Sequence, residues 1–152
     1  MIRKATKKDI QDIAFIELNS GYKFRGQIST NEEIDRIKDD FLNGCDFFIE
    51  KEKRAYVSVL FKNSVCHVDY LSVIKREHGE GLGGLFMQFI EKKAINKKCK
   101  KISLEVNSKN SAAINLYKKL GYSVVKVKEK VNYGKKATKF VMEKDLNLSD
   151  NN

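Results

Sequence analysis

The chain has 152 residues and a mass of 17.5 kDa, of which 41% are hydrophobic and 33% charged, so we expect one domain over residues 1–148 and a disordered tail at 149–152. Its longest apolar-rich run, residues 56–61, is far shorter than the roughly 20 residues of a membrane helix, and the charged N-terminus predicts no secretory signal. The net charge is +10, and residues 76–152 carry 17 Lys and Arg against 8 Asp and Glu, which predicts an anionic partner for that half unless the lysines form a solvated surface.

The first quarter of the chain predicts one short strand and two helices. Residues 2–5 have a strand composition, and Thr6 with Asp9 three positions later resembles a helix-capping pair. Residues 19–30 contain two glycines and break the helical pattern before a second helix, which ends at Asn43 and Gly44.

From residue 47 onward the hydrophobic period shortens to that of strands, and helical spacing returns only in two segments. We predict strands at 47–51, 55–61, 65–73 and 101–106. One helix is predicted directly after the glycines of residues 79–84, a second helix at residues 111–120, and a final hairpin around Tyr133 and Gly134. The short joints at 52–54 and 63–64 indicate antiparallel neighbours. The predicted fold is α+β, with a mixed, mostly antiparallel sheet of about seven strands and helices on both faces.

Four glycines lie in six positions of the segment HGEGLGGLFMQFIEKKA, residues 78–94, directly before a helix. Free amides at a helix N-terminus bind anions, and glycines let a ligand approach the backbone, so this loop predicts a phosphate site. The absence of G-K-[ST] excludes a Walker A loop. A dinucleotide fingerprint fits Gly79, Gly81 and Gly84 with Glu105 as the ribose acid, but the antiparallel strands before it argue against that alternative.

Two separate segments resemble the GNAT family of N-acetyltransferases, and the resemblance covers nearly the whole chain. The segment VIKREHGEGLGGLFMQFIEKKA is similar to the family's acetyl-CoA loop, [RQ]-x-x-G-x-[GA], and residues 110–122 match N-x-x-A-x-x-L-Y-x-x-x-G-[FY]. The chain departs from the pattern at His78, which stands where the family has Arg or Gln. Either His78 or Arg76 is then expected to reach a phosphate.

The resemblance implies an enzyme that transfers the acetyl group of acetyl-CoA to a primary amine by direct attack. The residues it assigns to acetyl-CoA binding are Leu71, Val73, Arg76, His78, Gly79, Glu80, Gly81, Leu82, Gly83, Gly84, Asn110 and Tyr117. Tyr117 is also the implied proton donor to the departing sulfur, with a core tyrosine as the alternative. His67 and Asp69, two positions apart on one strand face, are the candidates for the base, with ordered water as the alternative.

The C-terminal hairpin resembles the ending of the RimI-like protein N-terminal acetyltransferases, which implies a protein α-amine as acceptor. Tyr133 keeps one of the substrate-gripping tyrosines of that ending, and Tyr22 and Phe24 are expected to wall the acceptor site. An α-amine has a pKa near 8 and so needs less help to lose its proton than a lysine near 10.4. The alternatives are a small-molecule acetyltransferase acting on a polyamine or antibiotic and, more remotely, a basic nucleic-acid-binding module without catalysis.

Three widely spaced cysteines and two histidines show no metal-ligand spacing. We therefore expect a reducing cytoplasm and no metal site. Neither a membrane nor a nucleic acid is an expected partner, and a homodimer stays open.

Overall fold

The structure is a computed structural model that describes residues 1–21, 28–132 and 134–146. Its strands are β1 (Ile2–Lys4), β2 (Asp46–Glu50), β3 (Ala55–Lys62), β4 (Val65–Val73), β5 (Lys101–Asn107), β6 (Ser123–Asn132) and β7 (Lys135–Asp145). Its α-helices are α1 (Ile10–Leu18), α2 (Thr30–Leu42), α3 (Leu82–Asn96) and α4 (Ser111–Lys119). Short 3-10 turns occupy Lys7–Asp9 and Lys75–Glu77, and the second of these was not predicted.

The seven strands form one mixed sheet in the order β1-β2-β3-β4-β5-β7-β6. The pair β4 and β5 is parallel, whereas β1 with β2, β2 with β3, β5 with β7 and β6 with β7 are antiparallel. The turn between β3 and β4 is made by Asn63 and Ser64, both with positive φ (54° and 63°), as a tight hairpin turn requires. The predicted α+β fold with a mixed, mostly antiparallel sheet is confirmed.

The chain falls into two compact units. The first comprises Met1–Leu60 and Asp69–Met87, and its core packs the apolar faces of α1 and α2 against aromatic residues of the strands. Thr6 and Asp9 form a capping box at the 3-10 turn Lys7–Asp9, which leads directly into α1, and Ser29 and Glu32 form one at the start of α2; in each box the two side chains bond the backbone of the other residue. The predicted capping pair of Thr6 and Asp9 is therefore confirmed, with a 3-10 turn between it and α1.

The second unit comprises Phe61–Val68 and Gln88–Asn152. In it β7 pairs along its length with both β5 and β6, and the register shifts between Val124 and Lys126. Helix α4 follows β5 and buries Ile114 and Tyr117. The single domain expected from chain length stays a prediction, and the tail expected at 149–152 lies outside the described residues.

Candidate active site

The glycine loop ends in a helix N-terminus. Gly79 and Gly81 have φ of 86° and 80°, values that side-chain-bearing residues rarely adopt. The first hydrogen bond of α3 runs from the amide of Leu85 to the carbonyl of Gly81 (3.1 Å), which makes Gly81 the N-cap. The amides of residues 82–84 precede that bond and have no acceptor within the helix, so this turn has the donors that an anion needs.

The surroundings of the loop also fit a bulky anion. A Cβ atom placed on Gly79 or Gly81 would meet no atom within 4 Å, so space lies beside the loop. Arg76 on the preceding 3-10 turn is exposed and carries a positive charge. Glu80, a predicted cofactor contact, is exposed between the two glycines and would repel an anion through its own charge. Only its backbone can therefore serve a phosphate.

His78 makes a contact that no sequence pattern predicted. Its Nε2 lies 2.9 Å from the carbonyl oxygen of Val73, and because a carbonyl only accepts, Nε2 carries the hydrogen. His78 thus ties the glycine loop to the end of β4. The proposed contact of His78 with a phosphate stays a prediction.

Strand β4 presents its backbone near this loop. Its parallel pairing with β5 runs from Val65 with Lys101 to Val68 with Leu104, and Leu71 and Val73 lie beyond the last pair. Between them, Ser72 donates a hydrogen bond to the buried carboxylate of Glu17 on α1. Because side chains alternate along a strand, Leu71 and Val73 face away from that helix.

The two candidate bases lie in different surroundings. His67 is half-buried on β4 in register with Ser103 of β5. Asp69 is exposed, and its Oδ2 accepts a hydrogen bond from the thiol of Cys45 (Sγ to Oδ2 3.4 Å). Burial, together with the nearby Asp69, raises the pKa of Cys45 to about 12, so the thiol stays protonated and continues to donate. The structure thus gives Asp69 an anchoring contact in addition to any role as a base.

An arginine cluster near Asp69 was missed by the sequence reasoning. The Arg36 guanidinium stacks 3.8 Å from the ring centroid of Tyr70, and its Nη1 bonds Asp40 at 2.8 Å. Its Nη2 also bonds the buried carboxylate of Glu33. Burial raises the pKa of Asp40, and the charge of Asp69 adds to that effect. A charged residue on a helix gives no sequence signal of this kind, because most such residues face solvent.

In the second unit, Asn110 and Tyr117 lie at the start and near the end of α4. Asn110 is the N-cap, and its Oδ1 accepts a hydrogen bond from the Ala113 amide at 3.2 Å. Tyr117 is 7% exposed, and its ring centroid lies 5.9 Å from that of Tyr122. Each residue therefore has a structural contact alongside its implied role.

Other predicted features are placed as follows. Tyr22, Phe24 and Tyr133, the expected acceptor contacts, lie outside the described residues. Glu105, the ribose acid of the dinucleotide alternative, instead bonds the amines of Lys128 and Lys130 at 2.9 Å and 2.6 Å.

The described ranges contain no metal-binding cluster of three or more His, Cys, Asp or Glu. Within the same ranges, no helix has the length and apolar character needed to cross a membrane. Cys45, Cys66 and Cys99 are buried, and within the described residues none of them forms a disulfide.

Comparison with known proteins gives one family and many related folds. The model of the GNAT acetyltransferase family matches residues 13–122. The ribosomal-protein-S18-alanine N-acetyltransferase of Escherichia coli superposes with a TM-score of 0.81 at 16% identity, covering 95% of this chain and 92% of that one. The ribosomal-protein-alanine N-acetyltransferase of Brucella melitensis gives 0.76 at 17% identity, with 96% and 99% coverage.

A third structure, a protein of Salmonella typhimurium described as an acetyltransferase with its cofactor acetyl-CoA, gives a TM-score of 0.74 at 20% identity, with 97% and 94% coverage. No curated protein matches the chain in sequence.

Proposed function

Because the chain belongs to the GNAT family and is therefore an acetyl-CoA-dependent N-acetyltransferase, we propose that its acceptor is the α-amine of a protein N-terminus. The observation that carries this choice is the similarity in fold to two ribosomal-protein-alanine N-acetyltransferases, each covered over more than nine-tenths of its length. The RimI-like ending of the chain, with Tyr133, supports the same acceptor.

The glycine loop supplies the binding site for the anionic part of acetyl-CoA. In this proposal the amides of Leu82, Gly83 and Gly84 donate to the pyrophosphate, and Arg76 adds a positive charge. His78 fixes the loop through its bond to Val73, which keeps these donors in place before the cofactor binds. The backbone of Leu71 and Val73 would hold the pantetheine arm. Because the Asn110 side-chain oxygen caps α4, its amide nitrogen is the group that would donate a hydrogen bond to the pantetheine arm.

Acetyl-CoA, when bound, supplies an activated thioester. The protein must then take one proton from the attacking amine and deliver one to the departing sulfur. We assign the second task to Tyr117, because phenols in general carry a proton that they can donate at pH 7. For the first task His67 or Asp69 acts directly or through water, and an α-amine with a pKa of about 8 makes only a small demand on that base.

A small cationic acceptor is the second candidate, and the carboxylates around Arg36 favour it. Asp40, which bonds Arg36, is half-buried and the nearby Asp69 is exposed, whereas Glu33 is buried, so two accessible carboxylates stand against one guanidinium there. A polyamine would be attracted to such a surface.

Acceptor identity can be tested with a panel of amines under one assay of CoA release. The panel contains a peptide with a free N-terminal alanine and one internal lysine, the same peptide with a blocked N-terminus, and spermidine. We expect turnover of the free peptide, with mass spectrometry placing the acetyl group on the α-amine, and little turnover of the other two. A preference for spermidine, or acetylation of the lysine, would contradict the proposed acceptor.

The role of Tyr117 is tested by Tyr117→Phe with the acceptor chosen from that panel. Loss of a general acid should lower kcat on the order of 100-fold. The KM for acetyl-CoA should change by less than about 2-fold, since the ring is retained. An unchanged kcat would remove Tyr117 from the proton transfer.

A further inference from the structure

A polar cluster in the second unit contacts Tyr117 through Tyr122. It consists of Glu91 on α3, Tyr122 at the start of the segment leading to β6, and Lys144 on β7. The Tyr122 hydroxyl donates to Glu91 Oε1 at 3.2 Å, and the Lys144 amine donates to the same oxygen at 3.1 Å. We call these three residues the Glu91 cluster.

Tyr122 connects this cluster to Tyr117 in two ways. Its backbone amide donates to the Tyr117 carbonyl at 2.9 Å, and its ring meets the Tyr117 ring at 5.9 Å between centroids with a 58° tilt. This separation and tilt fall in the range of favourable aromatic pairs. Tyr122 is 3% exposed, so neither ring can turn without displacing the other or its neighbours.

The cluster holds the Tyr122 hydroxyl in one direction. Burial and the negative charge of Glu91 both raise the pKa of Tyr122, so its phenol stays protonated and serves as a donor to that carboxylate. The Lys144 side chain passes over Gly121 to reach Glu91. Gly121 has a φ of 97°, and a Cβ added there would lie 3.4 Å from the lysine Cε. The lysine charge offsets the carboxylate and limits its choice of rotamers.

We propose that the Glu91 cluster positions Tyr117 for proton transfer, with Tyr122 as the positioning residue that acts through the two rings. This inference rests on the proposed function, in which Tyr117 donates to the departing sulfur. Acid catalysis depends on angstrom-scale placement of the donor, and a donor is best placed when neighbouring side chains lock its rotamer. The hydrogen bond from the Tyr122 hydroxyl to the Glu91 carboxylate fixes the Tyr122 ring, and through it the Tyr117 ring, more firmly than apolar packing would.

The test is a double-mutant cycle between Tyr122→Phe and Tyr117→Phe, measured by CoA release with the free N-terminal alanine peptide and, in parallel, spermidine. Tyr122→Phe keeps the ring and removes only the hydroxyl. We expect it to lower kcat about 3- to 10-fold, with the KM for acetyl-CoA changed by less than about 2-fold. In the Tyr117→Phe background the same change should have almost no effect, because the donor that it positions is already gone.

Two further variants test the same point by other routes. Glu91→Gln keeps an oxygen acceptor for Tyr122 but removes the charge, so we expect an effect on kcat in the same direction and no larger. Tyr56→Phe is the matched control, since Tyr56 is also a buried tyrosine whose hydroxyl makes a hydrogen bond, to Arg36 at 3.3 Å. It should lower the unfolding midpoint about as much as Tyr122→Phe does and leave kcat unchanged.

The outcomes separate this inference from the proposed function. If Tyr122→Phe lowers kcat equally in both backgrounds, its effect is a general structural one and the inference is overturned. The inference is also overturned if Tyr122→Phe leaves kcat unchanged while Tyr117→Phe lowers it. If Tyr117→Phe itself has full activity, the acid role fails and the inference fails with it. If the wild-type chain turns over neither acceptor, the proposed function is overturned, and the inference that rests on it is overturned as well.

Discussion

Replacing Asp9 by asparagine removes one negative charge from a site that is 6% exposed while keeping an oxygen that accepts hydrogen bonds. In the folded chain both carboxylate oxygens bond the Arg3 guanidinium, at 2.9 Å and 2.7 Å, and one of them also accepts from the Thr6 amide at 2.8 Å. These donors favour the charged form, and the Arg3 hydrogen bonds, the largest cause, lower the pKa of Asp9 to about 2.

The size of the effect follows from this shift. Against an ordinary value of 3.8, a pKa of about 2 corresponds to roughly 2 kcal/mol of stability at neutral pH, at 1.36 kcal/mol per pKa unit. Because the Arg3 side chain is 53% exposed, solvent screening reduces this, and we expect Asp9→Asn to cost about 1 to 2 kcal/mol. For a chain of this length that is a fall of about 3 to 6 °C in the unfolding midpoint.

The pH dependence has a definite sign. A carboxylate with a lowered pKa stabilises the folded state above its unfolded-state pKa, near 4, and loses this contribution as pH falls toward 2. Urea unfolding of both proteins should therefore give a constant gap from pH 5 to 7, and about half of that gap should be gone at pH 3. Asp35→Asn, at an exposed aspartate of α2, is the control and should change stability by less than about 0.5 kcal/mol. A gap below that size at pH 7, or one that widens on acidification, would refute the reasoning.

Substitutions at three other sites test the cofactor loop, the α4 cap and the arginine cluster. Gly83→Glu places a carboxylate at the second residue of α3, where it competes for the amides, so acetyl-CoA should bind on the order of 10- to 100-fold more weakly by calorimetry. Its unfolding midpoint should not fall, because acidic side chains favour helix N-termini. Asn110→Ala removes the cap of α4 and should cost about 1 kcal/mol in urea, whereas Asn110→Asp keeps the cap but lacks the amide donor, so it should weaken acetyl-CoA binding alone. Arg36→Met leaves the buried Glu33 carboxylate without this guanidinium and should cost about 3 to 5 kcal/mol, a loss that adding Glu33→Gln partly restores.

Each of these has an outcome that contradicts it. Gly83→Ala separates crowding from charge, and equal losses of affinity in Gly83→Ala and Gly83→Glu would show that charge is not the cause. Acetyl-CoA affinity retained in Asn110→Asp would remove Asn110 from the cofactor site. A double variant of Arg36 and Glu33 less stable than Arg36→Met would mean that the two residues do not act as a pair.

Much of the fold was predictable because its signals are local. The bounds of β4 at residues 65 and 73 follow from a run of β-branched and aromatic residues. The capping boxes of Thr6 with Asp9 and Ser29 with Glu32 mark the 3-10 turn before α1 and the start of α2. The helix N-terminus after the glycine loop was predictable for the same reason, and the anion site there stays a prediction.

Contacts between distant residues were not predictable in this way. Tyr122 and Glu91 are 31 positions apart, and Lys144 and Glu91 are 53 apart, so only the packing of α3 beside β7 and the end of α4 shows that they meet. Likewise, His78 was predicted from its place in a motif to reach a phosphate, and its bond to Val73 depends on how the 3-10 turn folds back to β4.

The sequence by itself determined the order of strands and helices and the family, because each depends on neighbours along the chain, and it predicts the glycine loop as the site for the pyrophosphate. The tertiary structure decided which distant side chains contact one another: Glu91 with Tyr122, Arg36 with Tyr70, and Cys45 with Asp69. Buried polar groups need partners, and which partner each one finds is fixed only when the elements pack.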